Sequence, residues 1–453
     1  MGIQPHILAV PFPVQGHAGP LMEFAHKLAD HGFRVTFVNT ESIHHKMLST
    51  MLDHSVDEKD RTIHLVSIPD ESIFSTAESF IEYLSDTMPG HVEKLIKKLN
   101  ESGGNNIDCV VADGHVGSVL EVAERFGIKR AAFWPVPLGV LAFMLHFPVL
   151  QAAGDIDENG NPAKGEIVRL PSSMPAMTAV DLMWSFTDNT SVRMMTIAFI
   201  HLVNRAAKVA SCFISNSFYE LEPASHDSIP NILTVGPLMA SEQLGHPNGQ
   251  LWPEDSTCLA WLDQQPAQSV VYVAFGSTTV FDQGQFTGLV HGLELMNRPF
   301  LWVVRPGFSS ELCASLLDSF KDRTAHYGKV VDWAPQKKVL AHSSIACFIT
   351  HCGWNSALEG VSMGVPLLCW PYCADHFHNQ NLICDIWKVG LRFSKDENGI
   401  ITGSEIKTKV QELLADEGKR SRVNDLKHIA KRSVREGGSS SKHFQDIINM
   451  INC

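Results

Sequence analysis

Two stretches of this sequence hold residue types whose spacing could do chemistry. The first is Pro11-Phe12-Pro13-Val14-Gln15-Gly16-His17-Ala18-Gly19-Pro20, set between an apolar run and an amphipathic one. An imidazole at a strand–helix junction meets the positive end of the helix dipole, which disfavours the imidazolium and keeps a neutral base available. Gly16 and Gly19 let the backbone come close to a ligand. The chain has 22 histidines, so on this pattern alone a capping or packed role for His17 weighs as much as a chemical one.

The second stretch runs from Trp333 to His376. Residues 345–350 read as a strand, and His351-Cys352-Gly353-Trp354-Asn355-Ser356 turns into a helix. Asn355 and Ser356 therefore sit where free N–H groups and the helix dipole favour a phosphate. Glu359 lies one turn further, within reach of ribose hydroxyls. Trp333, at the end of the preceding strand, can stack on a planar base. Asp375 and His376 follow the next strand and can read sugar hydroxyls. Gly276-Ser277-Thr278 adds another phosphate-facing loop. Each element is weak alone; as a series in one α/β domain they spell a nucleotide-sugar.

Other motifs carry less. Gly360-Val361-Ser362-Met363-Gly364 matches a hydrolase nucleophile elbow, but a helical segment precedes it and a strand follows, the reverse of what an elbow needs. Cys369, Cys373, His376 and His378 cluster like zinc ligands, yet no second cysteine pair exists and Trp370-Pro371 restricts the loop, so a structural role is expected and no metal. Neither Gly-x-Gly-x-x-Gly nor Gly-Lys-Ser/Thr follows a strand, so a P-loop or dinucleotide site is unsupported.

The elements that must position these residues alternate. Residues 6–11, 34–39, 63–68, 108–113 and 212–216 read as buried strands, with helices over 21–30, 81–99 and 118–126. Residues 236–257 are rich in Gly, Pro and polar side chains without a period. The rhythm then restarts, with strands at 269–275, 300–304, 329–332, 345–350 and 365–369 and helices at 282–296 and 355–363. Strand–helix–strand alternation with few hairpin signals means doubly wound parallel sheets. The expectation is an α/β chain of two Rossmann-like domains, 1–240 and 257–436, with 241–256 as linker and 437–453 as a last helix. Phe444, Ile447, Ile448 and Ile451 form its apolar stripe. The basic run Lys419, Arg420, Arg422, Lys427, Lys431, Arg432 and Arg435 reads as the solvated face of a surface helix.

Length and composition fit. The 453 residues allow two or three domains, and 44% hydrophobic residues suit a soluble globular chain. Lys+Arg total 36 against Asp+Glu 49, a net charge of -13 that argues against nucleic acid or an anionic membrane as partner. Ten scattered cysteines suggest a reducing compartment. The opening MGIQPHILAV lacks a basic n-region, so Asn100-Glu101-Ser102 and Asn189-Thr190-Ser191 read as chance sequons and a cytoplasmic location is expected. The most membrane-like stretch, 131–154, is interrupted by Pro135, Pro137, His146 and Pro148; a buried strand followed by a buried helix explains it better than a span, so no membrane insertion is expected.

WAPQKKVLAHSSIACFITHCGWNSALEGVSMGVPLLCWPYCADH, residues 333–376, closely resembles the plant secondary product glycosyltransferase signature of the UDP-dependent glycosyltransferases. PFPVQGHAGP, VADGHVG, SNSFYELEP, VGPL and VYVAFGS extend the likeness to nearly the whole chain. The resemblance implies a GT-B fold, two domains facing a central cleft. The first domain would take a lipophilic acceptor and the second a UDP-sugar, with the last helix crossing back to the first. It implies His17 as catalytic base and Asp113 as the aspartate that orients it. Trp333 would stack on uracil, with Ala334 and Gln336 as backbone or ribose contacts. Ser277, His351, Asn355 and Ser356, in the turn that includes Gly353, would hold the diphosphate. Glu359 would bind ribose, and Trp354, Asp375 and His376 the sugar. UDP-sugar is then a co-substrate, and neither cofactor nor metal is required. A monomer is the family default.

Three positions depart from the pattern. His376 stands where Gln is usual, Pro135 where Thr often meets the sugar, and Ser118 where Trp is frequent. UDP-glucose ranks first, with UDP-xylose, UDP-arabinose and UDP-galactose as contenders. Phe12, together with Phe133, Met144, Met183 and Phe186 from a middle region that also holds Met174, Met177, Trp184, Met194 and Met195, are candidates for an adaptable acceptor pocket. Most of that set is expected to be core. A flavonoid, phenolic or terpenoid acceptor is what the resemblance implies. A non-catalytic UDP-sugar binder and a donor hydrolase are the competing classes; the presence of both His17 and Asp113 argues against the first.

Overall fold

Strands buried on both faces read as near-continuous apolar runs, and they need helices on each side of a parallel sheet. The computed structural model describes residues 4–51, 63–70, 76–101, 106–162, 167–168, 177–178, 182–184, 187, 189–238, 252–308 and 313–453. The chain divides into two units, Met1–Trp252 with Arg432–Cys453, and Pro253–Lys431. Of the linker expected at 241–256, residues 241–251 lie outside the described residues.

The first unit holds β1 His6–Val10, β2 Arg34–Thr40, β3 Ile63–Ile68, β4 Cys109–Asp113, β5 Lys129–Trp134, β6 Phe213–Ser215 and β7 Ile232–Thr234. They form one parallel sheet in the order β3-β2-β1-β4-β5-β6-β7. The direction of winding reverses between β1 and β4, so the loops leaving these two neighbours part to opposite faces and open a crevice at the carboxyl edge. Val10 pairs with Ala112, which brings the loop after Val10 level with Asp113. Side chains alternate with the two-residue strand period. Leu8, Val10, Ala132 and Trp134 enter one core, whereas Ile7, Ala9, Ala131 and Phe133 enter the other.

Helix α1 covers Gln15–Asp30, six residues earlier than the helix expected from 21. Pro20 suggested a start after it. In fact it lies just past the first turn and forgoes a single backbone bond. The expected helix at 81–99 is one run, Ala77–Glu82 and Met88–Glu101, joined by a π turn at Tyr83–Thr87. The membrane-like stretch is β5 and then α2, Leu138–Ala152. Its N-cap, Pro137, offers no side-chain cap. The buried Glu222 carboxyl group supplies one instead, its Oε1 accepting N–H bonds from Leu138 (2.9 Å) and Gly139 (3.3 Å). Asn189 caps α3, Thr190–Val209, by accepting from Ser191 and Val192, which gives that sequon a structural reason. Among the described residues no helix is long and apolar enough to cross a membrane.

The second unit repeats the plan. β8 Val270–Ala274, β9 Phe300–Val303, β10 Gly328–Val331, β11 Ile345–Thr350, β12 Leu367–Cys369 and β13 Gly390–Arg392 form a parallel sheet in the order β10-β9-β8-β11-β12-β13. Its reversal falls between β8 and β11. Helices α4 Gln336–Ala341, α5 Trp354–Met363 and α6 His376–Asn381 follow β10, β11 and β12. Ser362 of the elbow-like motif is buried inside α5, which Gly364 ends at φ 76°.

The chain then returns to the first unit as α7, Ser439–Asn452. Phe444, Ile447 and Ile451 complete the core that α1 forms with the sheet. Phe444 meets Phe24 edge-on at 6.1 Å and lies under the Lys27 ammonium at 4.3 Å. Ser440 Oγ donates to the Gly236 carbonyl at 2.6 Å, and Lys129 Nζ to that of Ile451 at 2.8 Å.

Candidate active site

The crevice of the first unit collects titratable groups. His17 is the third residue of α1, and Asp113 is the last residue of β4. The His17 Nδ1–H donates to Asp113 Oδ2 at 2.7 Å, with the carboxylate fully buried and the imidazole 17% exposed. The other oxygen, Oδ1, accepts the His115 backbone N–H at 2.9 Å and the His115 Nδ1–H at 3.0 Å. Burial by itself pushes the Asp113 carboxyl up. The attraction of His17 when that ring is protonated and the hydrogen bonds from His115 and His17 outweigh it and hold the group well below the usual carboxylate range. Asp113 is therefore ionised at neutral pH. It fixes the His17 proton on Nδ1 and leaves Nε2 as a bare acceptor, the arrangement of a general base with its orienting carboxylate. His17, Asp113 and His115 offer ligand atoms within 4.8 Å of one another, the one such group among the described residues that could hold an ion.

Aromatic rings enclose this base. Phe12 lies 5.0 Å from His17, 5.4 Å from His115 and 5.5 Å from both Phe80 and Phe199. Phe12, Met144 and Met183 belong to one core cluster. Phe133 does not: it points through the opposite face of the sheet and stacks on Phe24 at 5.7 Å, so its place in the acceptor pocket is corrected. Strand parity decides this, because Trp134 rather than Phe133 lies in the core that holds Phe12 and stacks on His115. Phe186 lies outside the described residues. Ser118 is buried and donates to the Leu84 carbonyl at 2.6 Å, so it braces the π turn rather than meeting an acceptor. Sequence reasoning missed His115, Phe80 and Phe199. The signal for His115 was its place at the carboxyl edge of the sheet, two residues after Asp113.

In the second unit Ser277 follows β8 and His351 follows β11, again at the two strand ends where winding reverses. Burial pushes the His351 pKa down to about 4, against a ring hydrogen bond to the Ala274 backbone. Its ring is clamped between glycines, since a Cβ on Gly276 or Gly353 would fall 2.5 Å from Nε2. This clamp brings the β8 loop against the start of α5, where Asn355 and Ser356 open the helix as expected for an anion site. Gln336 links the parts. Its amide oxygen accepts from Tyr272 Oη at 3.1 Å, and its nitrogen donates to Ser356 Oγ at 3.0 Å and Glu359 Oε2 at 2.6 Å. Trp333 is half-buried, as a stacking platform must be, and Ala334 is buried, which leaves backbone as its only offer. The Trp354 ring is 3% exposed and packs on Trp387, so it is core and only its backbone is left to meet a sugar.

Asp375 accepts from Asn379 Nδ2 at 2.7 Å, and the same amide donates to the Cys352 carbonyl at 2.8 Å. Asn379 ties α6 to the turn at Cys352, and its spacing of four from Asp375 was the available signal. His376 is buried beside His351, with ring centroids 4.7 Å apart. Burial and the His351 charge push its pKa well below the ordinary value. Its Nδ1 accepts the backbone N–H groups of Tyr372 and Cys373, both at 3.3 Å. The proton of this neutral ring therefore sits on Nε2, and the side chain is a donor only, where the sequence left it one donor and one acceptor.

The chain matches the family of UDP-glucoronosyl and UDP-glucosyl transferases over residues 17–433. It is 37% identical over 460 residues to UDP-glycosyltransferase 83A1 of Arabidopsis thaliana, covering 99% of this chain and 97% of that protein. Its structure is similar to a UDP-glucosyltransferase from Polygonum tinctorium capable of glucosylating indoxyl, solved with 3,4-dichloroaniline, with a TM-score of 0.83, 29% identity and 99% of each chain covered. It is also similar to Os79 from O. sativa in complex with UDP, with a TM-score of 0.80, 26% identity, and 98% of this chain and all of that one covered. Two parallel-sheet Rossmann-like units with these neighbours make the fold GT-B.

The glycine clamp is testable. Gly353→Ala should raise the Kd for UDP by on the order of 10-fold, measured by calorimetry, because the methyl displaces His351 and with it the turn before α5. Unchanged UDP affinity in a folded variant would mean that the turn does not hold the diphosphate.

Proposed function

The chain belongs to the family of UDP-glucoronosyl and UDP-glucosyl transferases, and from that premise we propose that it moves glucose from UDP-glucose to a hydroxyl of a lipophilic small molecule, with His17 as general base. One observation carries the reading: the buried Asp113 carboxylate holds His17 Nδ1 at 2.7 Å, leaving Nε2 for a substrate proton. The acceptor oxygen attacks the anomeric carbon as its proton passes to Nε2. The bond from that carbon to the diphosphate breaks, and UDP leaves with the electron pair. Attack from the face opposite the leaving group turns an α-linked donor into a β-glycoside. Asp113 stabilises the imidazolium and stays ionised throughout. The helix start at Asn355 and Ser356, with Ser277, stabilises the leaving diphosphate without need of a metal. Trp333 stacks on the uracil, and Glu359, held by Gln336, takes the ribose.

The ring cluster of Phe12, Phe80 and Phe199 beside the base supports an aromatic or terpenoid acceptor. His376 favours keeping a second donor in view. A ring that only donates can serve a hydroxyl as acceptor but cannot take that hydroxyl's proton, so UDP-xylose, UDP-arabinose and UDP-galactose compete with UDP-glucose here. A monomer in the cytosol completes the proposal, on the family resemblance and a composition with 44% hydrophobic residues.

With equimolar amounts of the four UDP-sugars and a primary aliphatic alcohol, mass spectrometry should find the β-glucoside as main product; a dominant pentoside would overturn the donor ranking. In the same reaction His17→Ala should lower kcat/KM by ~10²–10⁴-fold, the usual worth of general base catalysis. Near-wild-type turnover would remove His17 from the chemistry. An acidic phenol makes a poor acceptor for this test because it needs less help in losing its proton.

A further inference from the structure

We propose that His115 is a positioning residue for the transfer reaction, gripping the second oxygen of Asp113 so that the first stays aimed at His17. The inference rests on the reading of His17 as base. A carboxylate's terminal torsion is broad, and Asp113 held by His17 alone could swing about its Cβ–Cγ bond. His115 prevents this with two donors on Oδ1, its backbone N–H at 2.9 Å and its Nδ1–H at 3.0 Å. A carboxylate only accepts, so the His115 proton must sit on Nδ1. Burial pushes the His115 pKa below the ordinary value, against the pull of Asp113, which keeps the ring neutral.

The ring is itself held. It lies parallel to the Trp134 indole at 5.1 Å, 11° from coplanar, and meets Phe199 edge-on at 5.7 Å. Trp134 is anchored by its Nε1–H on the Pro137 carbonyl at 3.1 Å. Gly114 permits the stack, since a Cβ there would sit 3.1 Å from the indole. Gly117 lets α3, which carries Phe199, approach within 2.6 Å of where its own Cβ would be. The path from packing to chemistry therefore runs from Trp134 to His115, then Asp113, then His17.

Two substitutions separate the donor from the ring. His115→Asn places an amide nitrogen where Nδ1 was and loses the stack. His115→Phe keeps the stack on Trp134 and loses the donor. With an aliphatic alcohol acceptor, His115→Phe should lower kcat roughly 10- to 100-fold, the worth of a charge-assisted hydrogen bond, with KM for the UDP-sugar within about twofold of wild type. His115→Asn should recover most of that loss. Thermal unfolding checks that both variants fold, and His115→Leu makes the same comparison if His115→Phe does not. Full activity in His115→Phe, or an Asn variant as impaired as the Phe one, would overturn the proposal. That failure differs from failure of the base reading, in which His17→Ala itself keeps its activity.

Discussion

A fully buried carboxylate survives at the end of an apolar strand only when both of its oxygens are hydrogen-bonded. Asp113 meets that condition through three N–H donors, one from His17 and two from His115. Much of the first unit serves to bring those donors there. β1 and β4 must be neighbours, the loop after β1 must turn at once into α1, and the backbone after Asp113 must curl so that His115 folds back on it. The same burial that makes the carboxylate costly also makes its hold on His17 strong, because little solvent screens it.

The second unit solves a different problem with the same topology. A diphosphate needs positive potential, yet the two histidines nearest its expected place are kept neutral by burial. In the proposed site what remains to hold it is the start of α5, with Asn355, Ser356 and the loop at Ser277. Backbone dipoles act at short range and do not depend on net charge. The charge of -13 thus describes solubility and long-range partners and says nothing about a site that binds an anion.

Much of this was legible in the sequence, and what was not has physical reasons. Continuous apolar runs located the buried strands, and the alternation of elements gave two parallel sheets. The Pro11–Pro20 loop and the Trp333–His376 run pointed to the carboxyl edges of the two sheets. Side-chain direction was less legible. Phe133 and Trp134 differ by one residue and face opposite cores, and only the strand register decides which one stacks on His115. The resemblance placed Trp354 at a sugar contact without saying which of its atoms would serve, and the first turn of α5 buries its ring against Trp387. Pro20 hid the start of α1, and with it the fact that His17 is already helical. His115 stood at the carboxyl edge of the sheet two residues after Asp113, but the sequence did not say that its ring turns back to the carboxylate. A short 3-10 turn at Gly114–Val116 brings it back onto Asp113.

The central claim is that the buried Asp113 carboxylate makes His17 a base. Asp113→Asn tests it with almost no change in shape, since an amide can offer His17 the wrong partner or the wrong tautomer but not a charge. With an aliphatic alcohol acceptor, kcat should fall by roughly 10²–10⁴-fold while the Kd for UDP stays within about twofold of wild type. A kcat close to wild type in the folded Asp113→Asn variant would contradict the account.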